Sequence, residues 1–119
     1  MRIVPTVLHG IADYVVGLIV IGLPFFLELS GAPRMVLIAL GVIVVLYSLL
    51  TDYELGAVRF LRIRSHLLLD AIFGVAMLLS AWLFDLPTDT RWPVYAIGVV
   101  ALILAVTTQI RAEGTAPTN

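Results

Sequence analysis

Apolar residues of this chain fall into four long runs separated by short polar stretches. The runs cover residues 8–27, 35–50, 65–84 and 92–110. A helix that crosses a bilayer needs about 20 predominantly apolar residues, within a range of roughly 17–25. The runs lack period-two alternation and are too long for strands, and a helix satisfies its own backbone polar groups in lipid. The pattern therefore predicts an all-α, four-helix transmembrane bundle.

The overall composition strengthens the membrane interpretation. Hydrophobic residues make up 61% of the 119 residues and charged residues 13%, whereas soluble domains average about 45–50% and about 25%. The formal net charge is −1, which gives no basic field for nucleic acid. Cysteine is absent, which excludes disulfides and thiolate metal sites. We expect the lipid bilayer as the main partner and no nucleic-acid partner.

The connections between the runs differ in length and composition. Two of them, 29–33 and 86–90, are short and rich in helix-breaking residues, so each predicts an antiparallel helical hairpin. The middle connection, 52–64, is longer and mixes arginine with apolar residues. Such a mixture is typical of a segment at a membrane surface. It predicts that three arginines lie among lipid headgroups: Arg59, Arg62 and Arg64.

Arginine supplies all seven basic side chains, and its distribution predicts the orientation of the chain. Five arginines lie on one side of the predicted membrane: Arg2, Arg59, Arg62, Arg64 and Arg111. The other side has only Arg34 and Arg91. By the positive-inside rule both termini and the middle connection are cytoplasmic. A removable signal peptide is the competing interpretation of the first run, but that run exceeds the usual h-region of about 7–15 residues.

The second half of the sequence matches the first half without gaps when position 58 is aligned with position 1. The matched pairs are Arg2/Arg59, His9/His66, Asp13/Asp70, Gly17/Gly74, Leu29/Leu86, Arg34/Arg91, Ala39/Ala96, Gly41/Gly98 and Thr51/Thr108. They predict a tandem duplication of a two-helix unit, with repeats at 1–57 and 58–111 and a flexible polar tail at 112–119. Because each unit has two helices, both units enter the membrane from the same side. The units are then related as a parallel repeat, by an axis along the membrane normal. The four matched glycines predict close helix packing.

A His-x3-Asp-x3-Gly unit occurs in both repeats, and the stretch Thr-Asp-Tyr-Glu-Leu-Gly at 51–56 leads into the second one. With these motifs the chain resembles the SPW-repeat family of small bacterial membrane proteins over about residues 2–111. The family is named for a Ser-Pro-Trp triplet, which is degenerate here as Leu23-Pro24-Phe25 and Ser80-Ala81-Trp82. The resemblance implies a multi-pass architecture in the bacterial cytoplasmic membrane, and it implies no mechanism.

Four ionisable residues interrupt the first and third runs: His9, Asp13, His66 and Asp70. In each run the histidine and the aspartate are four residues apart and share a helix face. Asp70 lies about 7–8 Å along a helix that begins near residue 65, and Asp13 matches it by the repeat. An ionisable residue at the centre of a span costs about 2.5–3.5 kcal/mol and calls for a partner. In a parallel repeat both faces can turn to the pseudo-axis, where the four groups would meet.

Three interpretations of these four residues remain open. Pairing between histidines and aspartates would fix helix rotation without further chemistry. A proton or small-ion path would use the same groups as carriers. A metal or haem site would use two imidazoles and two carboxylates, a ligand set suited to zinc or iron.

Motifs for catalysis are missing from the sequence. It has no glycine-rich phosphate loop, no Gly-x-Ser-x-Gly and no His-Glu-x-x-His. We therefore expect a non-enzymatic membrane interaction or scaffold module without a cofactor. Such a module can self-associate or join a membrane complex.

Overall fold

The computed structural model describes residues 3–51, 55–58 and 60–108. Its helices are α1 (Thr6–Phe26), α2 (Gly31–Leu49), α3 (Ile63–Leu83) and α4 (Arg91–Thr107), and a 3-10 turn at Thr88–Thr90 leads into α4. All four helices, counting the turn with α4, are long and apolar enough to cross a membrane. The all-α prediction is confirmed, and the chain is a multi-pass membrane protein.

The helices pair as two antiparallel hairpins, with α1 against α2 and α3 against α4. Glycines lie where the two helices of each hairpin approach most closely. A Cβ atom added to Gly41 would lie 2.8 Å from the carbonyl oxygen of Gly17. A Cβ atom added to Gly98 would lie 2.9 Å from that of Gly74. Any side chain here would push the helices apart, so the four glycines occupy the packing positions expected from the sequence.

All four helices begin earlier than the hydrophobic runs indicate, at Thr6, Gly31, Ile63 and Arg91 against residues 8, 35, 65 and 92. Helix α2 begins at Gly31 instead of residue 35, because Pro33 falls in its first turn, where the backbone N–H groups have no intrahelical partner. Helix α3 begins at Ile63 instead of residue 65. Asp70 is therefore the eighth residue of α3, about 10 Å along the helix, and the depth expected from the sequence was too shallow.

The same turn closes the far end of α1 and of α3. Glu28 and Asp85, which are 57 residues apart in the chain, have φ angles of 57° and 51°. The next residue donates its N–H back to the helix, from Leu29 to the Pro24 carbonyl at 2.8 Å and from Leu86 to the Ala81 carbonyl at 3.2 Å. This left-handed residue lets each chain reverse within a short connection.

An apolar core fills the half of the bundle near these turns. Five of its side chains are at most 1% exposed: Val20, Leu37, Met77, Leu86 and Val94. Trp82 and Trp92 are exposed at the same end of the bundle, 65% and 71% respectively. Indole rings at one end are typical of a membrane–water interface.

The described part of the middle connection folds back on the end of α2. The N–H groups of Ala57 and Val58 donate to the Leu49 carbonyl at 2.8 and 2.9 Å. Arg62 precedes α3 and Arg64 lies in its first turn, both exposed, whereas Arg59 lies outside the described residues. Their contact with lipid headgroups stays a prediction.

Candidate metal centre

The four ionisable residues of α1 and α3 meet in the interior of the bundle. His9 and His66 are fully buried, and Asp70 and Asp13 are 3% and 5% exposed. One ligand-type atom from each residue lies within 4.8 Å of the others. Each histidine is the fourth and each aspartate the eighth residue of its helix, so two equivalent helix starts place all four groups at one level. We call these four residues the His/Asp cluster.

Within the His/Asp cluster, the shortest contacts cross from one hairpin to the other. His9 Nε2 lies 2.5 Å from Asp70 Oδ2, and His66 Nε2 lies 2.8 Å from Asp13 Oδ2. The contacts within one helix are longer, 3.1 Å for His9 with Asp13 and 3.2 Å for His66 with Asp70. The cluster therefore joins the two hairpins, and each Nε2 atom faces both carboxylates.

Two threonines hold the opposite nitrogen of each imidazole. Thr108 Oγ1 lies 2.6 Å from His9 Nδ1, and Thr51 Oγ1 lies 2.7 Å from His66 Nδ1. Each hydroxyl also donates to the carbonyl oxygen four residues earlier in the chain, at 2.7 and 2.6 Å. A hydroxyl has only one hydrogen, so its oxygen must accept a hydrogen bond from Nδ1–H. Both imidazoles are thereby oriented with Nε2 directed at the carboxylates.

Three residues of the site were not assigned to it from the sequence. Thr51 and Thr108 are matched when position 58 is aligned with position 1, and this match of two polar residues was the signal that could have found them. Tyr47 donates its hydroxyl to Asp70 Oδ1. The matching position in the second repeat is Leu104, so the repeat pattern gives no signal for the tyrosine.

The rings around the cluster pack edge to face. The centroids of His9 and His66 are 5.3 Å apart at an interplanar angle of 75°. The Tyr47 ring stands 4.9 Å from that of His66 at 78°. This packing leaves no slot for a flat macrocycle between the two imidazoles.

A small cavity borders the cluster on the side that faces the middle of the bundle. Its volume is about 10 Å³, the order of space that one water molecule needs. Both carboxylates line it, together with six apolar side chains: Val16, Val44, Phe73, Val100, Ala101 and Leu104. On this side the cluster therefore borders apolar side chains.

The residues at the degenerate triplets lie at the far end of the bundle. Pro24 is eleven residues beyond Asp13, about 16 Å along α1. Pro24, Ser80 and Ala81 are buried, whereas Phe25 and Trp82 are exposed. Ser80 donates its hydroxyl to the Met77 carbonyl of its own helix at 2.9 Å. The triplets take no part in the His/Asp cluster.

Comparison of the chain with family models, with curated proteins and with solved structures gives no match in any of the three.

Proposed function

We propose that the protein binds one divalent transition-metal ion, of the zinc or ferrous-iron type, in the His/Asp cluster. The observation that carries this proposal is the convergence of four ligand-type atoms within 4.8 Å at a buried position. Imidazole nitrogen and carboxylate oxygen are ligands of zinc and of non-haem iron. The geometry thus supports metal binding more strongly than it supports the other functions expected from the sequence.

Charge balance supports a divalent ion. Two neutral imidazoles and two carboxylates carry a formal charge of −2, which a divalent cation neutralises. An uncompensated charge in a buried site is costly, so a monovalent or trivalent ion would be disfavoured here. The four residues are at most 5% exposed, so solvent contributes little to that balance.

The hydrogen bonds around the cluster also support a metal site. A histidine that binds a metal usually donates its second ring N–H to an acceptor, which fixes the ring. Thr108 and Thr51 are such acceptors for His9 and His66. Tyr47 bonds to Oδ1 of Asp70, which leaves Oδ2 of that carboxylate for the ion.

Ion transport and haem binding receive less support. A transport path needs polar groups across the bundle, but the described residues beyond the cluster form an apolar core, including Val20, Met77 and Val94. The hydroxyl of Ser80 is bonded to its own helix. A porphyrin needs far more room than the cavity beside the cluster.

We also propose that the chain is an SPW-repeat protein of the bacterial cytoplasmic membrane, with both termini inside and a role in binding rather than catalysis. The gapless match of the two repeats and the distribution of arginines support this part. The cluster then lies in the cytoplasmic half of the membrane, since it occupies the first two turns of α1 and α3. A partner protein that receives or supplies the metal would approach from that side.

The test is metal binding by detergent-purified protein. After removal of metal with a chelator, titration with Zn²⁺ should give one bound ion per chain. The double variant Asp13→Asn/Asp70→Asn keeps hydrogen-bonding side chains but loses both anionic ligands, and it should lose the ion. Asp85→Asn changes an exposed carboxyl at the far end and serves as the matched control. Failure of the wild type to bind, or equal binding by the double variant, would overturn the proposal.

A stability measurement separates metal binding from simple pairing. An ion that binds only the folded state stabilises it by about 2.7 kcal/mol when its concentration is 100 times Kd. We expect Zn²⁺ to raise the Tm of the wild type and of Asp85→Asn, and to leave that of the double variant unchanged. A wild-type Tm that does not respond to Zn²⁺ indicates that the cluster serves pairing alone.

A further inference from the structure

The two carboxylates of the His/Asp cluster face the imidazoles in different ways. Asp13 presents Oδ1 to His9 Nε2 at 3.1 Å and Oδ2 to His66 Nε2 at 2.8 Å. Asp70 presents the single atom Oδ2 to the same two nitrogens, at 2.5 and 3.2 Å. The other oxygen of Asp70, Oδ1, accepts a hydrogen bond from the Tyr47 hydroxyl. Asp70 is therefore oriented with one oxygen directed at both imidazoles and the other directed at the phenol.

Two further contacts fix the position of this phenol. Tyr47 is 7% exposed, and its ring packs edge to face against His66 with the centroids 4.9 Å apart. Four residues later, Thr51 accepts the Nδ1–H of His66 at 2.7 Å and donates to the Tyr47 carbonyl at 2.6 Å. One stretch of chain at the end of α2 thus holds both residues that α3 supplies to the cluster.

We propose that Tyr47 is a specificity-determining residue, which makes Asp70 a monodentate ligand and thereby favours zinc over ions that take six ligands, such as Mn²⁺. This inference rests on the proposed metal site. A carboxylate can bind a metal through one oxygen or through both. An O–H donor forms a strong hydrogen bond with an ionised carboxylate, so Oδ1 is held away from the ion.

The number of ligands separates the two kinds of ion. Zinc is usually bound by four ligands, and nitrogen and oxygen are both suitable. Manganese prefers six ligands in an octahedral arrangement, mostly oxygen. Whatever number Asp13 contributes, the hydrogen bond from Tyr47 subtracts one oxygen from the total. Its effect is therefore to keep the ligand number low.

Tyr47→Phe provides the test in the full chain, because it keeps the ring that packs against His66 and releases Oδ1 of Asp70. The affinities of metal-free protein for Zn²⁺ and for Mn²⁺ are measured in the same detergent. Zinc loses an oriented ligand and manganese gains an oxygen, so the ratio of the Mn²⁺ Kd to the Zn²⁺ Kd should fall by about 10–100-fold, the usual scale when a residue that hydrogen-bonds to a metal ligand is replaced.

The visible spectrum of bound Co²⁺ provides a second measurement. The intensity of its bands falls as the number of ligands rises, so the bands of Tyr47→Phe should be weaker than those of the wild type. Tyr14→Phe is the matched control, because it removes a hydroxyl that donates to the Leu55 carbonyl at 2.7 Å, outside the cluster. Its Kd ratio and its bands should equal those of the wild type.

The outcomes separate this inference from the metal site on which it rests. If Tyr47 served packing alone, Tyr47→Phe would change both affinities by the same factor and leave the Co²⁺ bands as they are. That result would overturn the role of Tyr47 in specificity and leave the metal site standing. If the wild type binds none of the three ions, the metal site fails and the inference fails with it.

Discussion

The two hairpins share a frame and differ in the chemistry around one carboxylate. Helix α3 begins and ends at the positions that match the ends of α1, at Ile63 and Leu83 against Thr6 and Phe26. The glycine contacts, the histidine–threonine bonds and the closing turns recur in both hairpins at matching positions. The difference is Tyr47 against Leu104, a donor on one side and a cavity on the other. The helix packing is thus the same in both hairpins, whereas one side chain, Tyr47 in the first and Leu104 in the second, makes the site asymmetric.

Removing a carboxylate should have the largest effect. We expect Asp70→Ala and Asp13→Ala each to lower the free energy of unfolding of the metal-free protein by about 3–5 kcal/mol, because the two buried imidazoles are then left with one carboxylate between them. In Asp70→Ala, loss of the acceptor of the Tyr47 hydroxyl accounts for about 1 kcal/mol of this. Denaturant titration in mixed micelles measures both values. Losses below about 1 kcal/mol would be those of exposed ion pairs and would contradict the burial argument.

Adding a methyl group between the helices of a hairpin should have the next largest effect. Gly41→Ala and Gly98→Ala should each cost about 1–3 kcal/mol, since the new Cβ atom would lie within 2.9 Å of a facing carbonyl oxygen. Gly22→Ala is the control, because a Cβ atom there meets no atom within 4 Å. Equal values for Gly41 and Gly98 support the shared frame. A neutral result at one of them means that the two hairpins pack differently.

The two threonines should have smaller and equal effects on stability. Thr51→Val and Thr108→Val each remove the acceptor of a buried imidazole N–H and should cost about 1–2 kcal/mol. Zinc affinity should fall by about 10–100-fold, which is the usual loss when a residue that hydrogen-bonds to a metal-binding histidine is replaced. Thr107→Val is the control, since its exposed hydroxyl donates to the Ile103 carbonyl of its own helix and lies outside the cluster. Unchanged affinity in both variants would show that the threonines do not orient the imidazoles for a metal.

The closing turns should give the smallest effect, and it should be a gain. Glu28→Gly and Asp85→Gly place glycine at positive φ, where a side chain is unfavourable, so each should stabilise the protein by about 0.5 kcal/mol. Thermal unfolding of the purified variants checks this. A loss of stability in only one variant would show that its carboxylate makes a contact that its counterpart does not make.

The sequence was sufficient to predict the four helices and their pairing, because bilayer thickness and short connections restrict both. It misplaced the start of α2, since Pro33 indicates a turn although a first helical turn tolerates it. The spacing of His9 and Asp13 gave the shared face, and the repeat suggested that two such faces meet. Tyr47 could not be found this way, because it has no counterpart in the second repeat. The cavity depends on side-chain packing, which no sequence pattern reports.

X-ray absorption at the zinc edge of Zn²⁺-loaded protein tests the metal site most directly. The account predicts a shell of nitrogen and oxygen ligands at about 2.0–2.2 Å that includes the outer-ring scattering of two imidazoles. In His66→Gln the imidazole contribution should fall to one ring. A zinc shell of oxygen ligands alone, or a shell that His66→Gln leaves unchanged, would contradict the proposed metal site.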